Sequence, residues 1–98
     1  MAAYVIVDVE VLDASAYEEY RLQTPAAVAA YGGRFLVRGG RTEVLEGDWT
    51  PKRLIVIQFE SIERAKQWLD SPEYRAIKGI RHRTAKSNMV VVDGVTPA

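Results

Sequence analysis

The chain contains no cysteine, which excludes disulfides, thiolate metal sites and a thiol nucleophile. It has one histidine, His82, and no HxH or HxxE spacing, so a metal site would have to be built from carboxylates and none is expected. Net charge is also missing. Lys plus Arg and Asp plus Glu cancel at 13 each, leaving no overall field to draw the chain toward nucleic acid or an anionic membrane. No apolar run is long enough to cross a bilayer, and nothing at the N-terminus resembles a signal peptide, so a cytoplasmic location is expected. Gly-x-Ser-x-Gly is absent, and neither Gly32-Gly33 nor Gly39-Gly40 continues into a P-loop or a GxGxxG that opens a helix. Hydrolase and nucleotide-binding chemistry therefore have no support.

What is present is a soluble, globular composition: 98 residues, 48% hydrophobic and 27% charged. By mass scaling, nearly two-thirds (roughly 65%) of the unfolded surface is buried on folding, enough for one core and one domain over residues 1–98. Tyr4 to Val11 reads as a strand. Ser15 with Glu18 has the spacing of a capping box for a helix reaching Tyr31, in which Pro25 predicts a kink or a split. Gly32-Gly33 ends that helix. Arg34 to Arg38 is a second strand, Arg41 to Glu46 an extension or a short extra strand, and Leu54 to Glu60 a third strand. Ser61 caps a helix carrying Ile62, Ala65, Trp68 and Leu69 on one side. Ser71-Pro72 starts another, with Tyr74, Ile77 and Ile80 as its stripe. Met89 to Asp93 is the last strand, and the Thr96-Pro97-Ala98 tail is expected to fray.

The order β-α-β-β-α-β is the split βαβ arrangement of an α+β, ferredoxin-like fold: an antiparallel sheet with helices on one face. Sorting strand residues by parity gives a uniformly apolar set, Val5, Val7, Val9, Phe35, Val37, Ile55, Ile57, Phe59, Val90 and Val92, against which the helices belong. The second set mixes Tyr4, Ile6, Leu36, Leu54, Val56, Met89 and Val91 with Asp8, Glu10, Arg34, Arg38, Gln58, Glu60 and Asp93. So many large apolar side chains on a face without helices call for a cover. A second copy of the chain supplies it, making a homodimer whose two sheets face each other as a dimeric α+β barrel.

Asp8, Gln58 and Arg38 fall on this second face in neighbouring strands. The functional reading is a row that holds an organic anion or carbonyl on Arg38, oriented by Asp8 or Gln58. The competing reading is an ion-pair ladder that fixes strand register. Arg34, Arg38, Arg41, Lys52 and Arg53 give the middle of the chain a basic bias that suits a modest anion site. Arg34 and Tyr31 join the ligand-binding candidates, and Tyr20, Tyr31 and Trp68 would line any cleft between the first helix and the sheet. His82, between Arg81 and Arg83, and Asp8 are the catalytic candidates; a basic cluster in solvent is the plainer account of His82. Trp49 is read as a dimer contact.

The segment YGGRFLVRGG (Tyr31 to Gly40), followed in order by Glu46-Gly47, Pro51-Lys52-Arg53, Phe59-Glu60-Ser61 and Ser71-Pro72-Glu73-Tyr74, resembles the domain-of-unknown-function 1330 family over essentially the whole chain. The resemblance implies a ferredoxin-like domain of the dimeric α+β barrel superfamily and carries no activity with it. That superfamily includes cofactor-independent monooxygenases, muconolactone isomerase, EthD-like proteins and haem-binding chlorite dismutases, a kinship of fold only. The expectation is thus an uncharacterised homodimer that binds a small organic anion or carbonyl compound in a pocket beside the sheet, with the second sheet face and the first helix as its walls. The alternative is a cofactor-independent monooxygenase or isomerase acting on a phenol-like or lactone substrate, with Arg38 stabilising an anion and His82 or Asp8 as base. No cofactor, nucleic acid or membrane partner is expected.

Overall fold

Val5, Val7 and Val9 send every second side chain of β1 (Ala3–Val11) to the same side, where all three are buried. Ala3 on the same side is buried too, while Tyr4, Ile6, Asp8 and Glu10 of the other face are half-buried or exposed, so one face of β1 is already core before any helix is placed. The computed structural model describes residues 2–95; the Thr96-Pro97-Ala98 tail lies outside the described residues. Around β1 the order is α1 (Ala14–Ala30), β2 (Arg34–Arg38), β3 (Leu54–Phe59), α2 (Ile62–Leu69), α3 (Pro72–Thr84) and β4 (Ala85–Asp93). The strands form one antiparallel sheet in the order β2-β3-β1-β4. This is the ferredoxin-like α+β fold, with the second helical unit broken into α2 and α3.

Local chemistry sets the helix starts. Ser61 accepts from the Arg64 amide at 3.0 Å, and Ser71 accepts from the Tyr74 amide at 3.1 Å with Pro72 in the first turn. The first helix begins two residues earlier than the Ser15 capping box implies. Asp13 is its cap, accepting from the Ala16 amide at 3.2 Å, while Glu18 turns outward and pairs with Arg21 at 2.5 Å. Asp13 is as good a cap as serine for the free amides, and its charge also suits the helix dipole. Pro25 does not split α1, which runs unbroken from Ala14 to Ala30.

The core joins the sheet's Val5, Val7, Val9, Ile55, Ile57 and Phe59 to helix residues headed by Trp68, Tyr74 and Val28. Trp68 sits between Phe59 and Tyr74, with ring centroids 5.3 and 4.4 Å away.

Three strand details differ from the sequence expectation. β4 begins at Ala85 rather than Met89, because Ala85 to Asn88 pair with Val11 to Asp8. Its faces are also reversed. Met89 and Val91, opposite Val7 and Val5, pack on the core, while Val90 and Val92, opposite Ile6 and Tyr4, are 60% and 47% exposed. An unbroken Met-Val-Val-Val run offers no alternation from which to choose. In β2, the register shifts between Phe35 and Val37, so that Val37 pairs with Val56 and Arg38 with Ile55. The irregularity turns Arg38 to the helix-bearing face and Val37 to the open one. Arg41 to Glu46 forms no strand and lies exposed in the connection to β3.

Candidate functional site

Turning Arg38 inward places its charge under α1. A cleft lies there between α1 and the helix-bearing face of the sheet. Tyr17, Tyr20, Arg38, Arg53, Trp68 and Arg81 supply its chemically distinctive walls. Val7, Phe35 and Ile55 contribute to its apolar side, and no aspartate or glutamate lines it. Its volume is about 20 Å³, room for one or two water-sized groups.

Each arginine arrives by a different route. Arg38 donates through Nη2 to the Arg21 carbonyl, and its guanidinium lies 4.5 Å from the Phe35 ring centroid. Burial, followed by the nearby positive charges of Arg21 and Arg53, holds its pKa below the ordinary arginine value. Arg53 immediately precedes β3; its carbonyl accepts from the Val9 amide at 2.9 Å, and its Nε is buried without a hydrogen-bond partner. Its guanidinium packs over Gly39, whose φ of +75° and missing Cβ leave the space. Arg81 comes from α3 and is only 8% exposed. It donates through Nε to Tyr74 Oη at 3.1 Å and through Nη1 to Ser87 Oγ, and its Nη2 lies 3.2 Å from His82 Nε2. Among the described residues, none of these three arginines forms a salt bridge.

The tyrosines stay neutral. Burial raises the pKa of Tyr17 and Tyr20, and Tyr20 Oη lies 2.8 Å from Tyr74 Oη. Trp68 is 1% exposed, and its indole Nε1 is buried without an acceptor.

The row of Asp8, Gln58 and Arg38 does not form, because the bulge puts Arg38 on the opposite face from the other two. On the open face, Arg34 donates through Nη2 to Gln58 Oε1 at 3.1 Å, a cross-strand pair. Asp8 accepts from Trp49 Nε1 at 3.0 Å and from the Lys52 amide at 2.9 Å. These bonds hold its carboxyl below the ordinary value, the Trp49 bond foremost, so Asp8 acts as an anchor for the 39–53 connection. Tyr31 lies outside the cleft, where its hydroxyl donates to Glu73 at 3.3 Å and Arg64 covers its ring. His82 is exposed, and partial desolvation, then Arg81 and Lys78, lower its pKa. Neither Asp8 nor His82 lines the cleft. Of the sequence candidates, Arg38, Tyr20 and Trp68 are brought together there.

The cleft's first wall also differs from the expectation: it is the helix-bearing face of the sheet, because α1 packs on that side. Sequence reasoning named Arg53 only within the basic stretch and missed Arg81 as part of the site. The i, i+7 spacing of Tyr74 and Arg81, two turns apart on one helix face, was the available signal. No group of three or more metal-ligating side chains occurs among the described residues, and no helix among them is long and apolar enough to cross a membrane.

Residues 2–95 match the family described as Domain of unknown function (DUF1330). Among solved structures, the chain is similar to RPA0582, a protein of unknown function from Rhodopseudomonas palustris, with a TM-score of 0.77 and 17% identity over 98% of this chain and 84% of that one. It is also similar to SnoaB, a cofactor-independent oxygenase from Streptomyces nogalater, with a TM-score of 0.63 and 13% identity over 98% and 94% of the two chains. Rv0793 from Mycobacterium tuberculosis gives a TM-score of 0.59 and 15% identity over 100% and 99%. These likenesses establish the fold. No curated protein matches the chain by sequence.

Proposed function

The chain belongs to the DUF1330 family, whose description assigns no activity, and on that premise we propose that it is a homodimer binding a small organic anion or carbonyl compound in the cleft beneath α1. The observation that carries this reading is the convergence of Arg38, Arg53 and Arg81 on one narrow apolar cleft with no carboxylate in its wall. Partly or fully buried cations without an ionic partner are costly, and an anion seated among them offsets that cost with charge-assisted hydrogen bonds. Rotation of Arg38 and Arg53, both partly exposed, widens the cleft for an organic body. The dimer reading rests on the open face, where Ile6, Val37, Val56, Val90 and Val92 form an apolar patch without a helix over it.

Native mass spectrometry of the purified protein, followed by a thermal-shift screen of organic anions, tests both parts. A dimer that retains a small mass, or is stabilised by anions through Arg38, supports the reading. A monomer overturns the dimer, and indifference to every anion class overturns the site.

Cofactor-independent oxygenase or isomerase chemistry is the second reading, favoured by one feature: guanidiniums beside an apolar cleft suit a developing enolate or phenolate. It needs a proton acceptor, and the cleft wall offers no histidine or carboxylate. Oxygen consumption or isomerisation across a phenol and lactone panel separates the two readings.

A further inference from the structure

The polar groups around the cleft are donors, and their order can be worked out. Arg81 Nε carries a hydrogen and no lone pair to offer, so it donates to Tyr74 Oη at 3.1 Å. Tyr74 is fully buried, and among the described residues its hydroxyl has one other neighbour, Tyr20 Oη at 2.8 Å. If Tyr20 donated across that contact, the Tyr74 proton would be stranded in the core, at the full cost of an unmade bond. Tyr74 therefore donates to Tyr20. Among the described residues, no hydrogen bond then gives the Tyr20 proton an acceptor, and its side chain lines the cleft.

Arg81, Tyr74 and Tyr20 thus form a one-way chain whose last O–H is offered to a guest, each bond polarising the next. Independently, the Trp68 indole, 1% exposed and lining the same cleft, holds an Nε1–H that meets no acceptor. Buried donors without partners are uncommon and need an explanation.

We infer that Tyr20 and Trp68 are the neutral hydrogen-bond donors of the ligand site, receiving an oxygen-rich head beside Arg38 and Arg53, and that the ligand class is a small monocarboxylate. This deepens the anion-binding reading and rests on it. A carboxylate has two oxygens with about four lone-pair directions, which match two neutral donors and a guanidinium fork. It carries one negative charge and no hydrogen of its own, in keeping with a wall that has no carboxylate to accept one. The cleft volume of about 20 Å³ suits a head of one or two water-sized groups, with the apolar body directed at Phe35 and the aliphatic side chains. Tyr74 lies behind Tyr20 and is a positioning residue.

The test is an NMR titration that follows the Trp68 indole N–H in a Trp49→Phe background, which leaves Trp68 as the one tryptophan. Acetate, propionate and benzoate are added at fixed ionic strength, with acetamide and inorganic phosphate as contrasts. The expected result is a saturable downfield shift of the indole proton with the short carboxylates and none with acetamide. Tyr20→Phe should weaken binding about tenfold, and Tyr74→Phe should weaken it less, while both keep the folded spectrum. If carboxylates bind through Arg38 but the indole proton stays still and Tyr20→Phe binds as before, the donor assignment is wrong and the anion site stands. If phosphate binds and carboxylates do not, the ligand class is wrong. If no anion binds, the site reading itself falls. Trp68→Phe need not fold for any of these outcomes to be read.

Discussion

Arg38 donates its Nη2 hydrogen to the carbonyl of Arg21, the carbonyl that Pro25, four residues on, cannot serve because proline has no amide hydrogen. A guanidinium from a strand thus stands in for a missing helix bond. The arrangement explains how α1 runs unbroken through a proline, and it fixes one wall of the cleft. Arg38→Ala should destabilise the fold by about 1–2 kcal/mol in urea denaturation, the usual scale for a charge-assisted bond to a partly buried acceptor. Pro25→Ala restores the helical amide, so Arg38→Ala should cost clearly less in that background. A double-mutant cycle without coupling would contradict the substitution of one donor for the other.

Gly39 sits at φ +75° with the Arg53 guanidinium packed where a Cβ would go. Gly39→Ala should cost about 1–2 kcal/mol for the left-handed backbone and push Arg53 out of the cleft. Weaker anion binding than in the parent, measured by calorimetry on a folded variant, is the expected outcome.

Gly33 is constrained differently. A Cβ there would lie 2.6 Å from Phe59 Cε1 and 2.8 Å from Val28 Cγ1, both in the core. Gly33→Ala should lose about 1–3 kcal/mol by overpacking, seen as a lower urea midpoint, with no effect specific to ligand binding.

Asp8 holds the 39–53 connection through Trp49 and Lys52, and these bonds lower its pKa. A depressed carboxylate pKa contributes stability above the ordinary value of 3.8, and that contribution is lost as pH falls through the folded value. Trp49 fluorescence should therefore remain in its anchored state as pH falls past 3.8 and change only below it. Asp8→Asn should release Trp49 at neutral pH, read as a red-shifted emission.

Val90 is 60% exposed beside Ile6 on the open sheet face. If two copies pair through that face, Val90→Asp should give a folded monomer by size-exclusion chromatography with unchanged circular dichroism. A variant that elutes with the parent would remove this face from the interface.

Local chemistry in the sequence determined the element order, the helix caps at Ser61 and Ser71, and the core faces of β1 and β3. Capping hydroxyls, Pro72 and alternating valines act within a few residues, so they can be read without knowing what lies opposite. The tertiary structure alone decided which face of β4 is buried, because an unbroken apolar run fits either register until Ala85 to Asn88 pair with β1. It also decided the side on which Arg38 lies, since the irregularity in β2 reverses parity after Phe35. The cleft depended on both kinds of information. Arg38, Arg53 and Arg81 stand far apart in sequence and are joined only when β2, the start of β3 and α3 close around α1. Their convergence is a consequence of packing, and no local pattern encodes it.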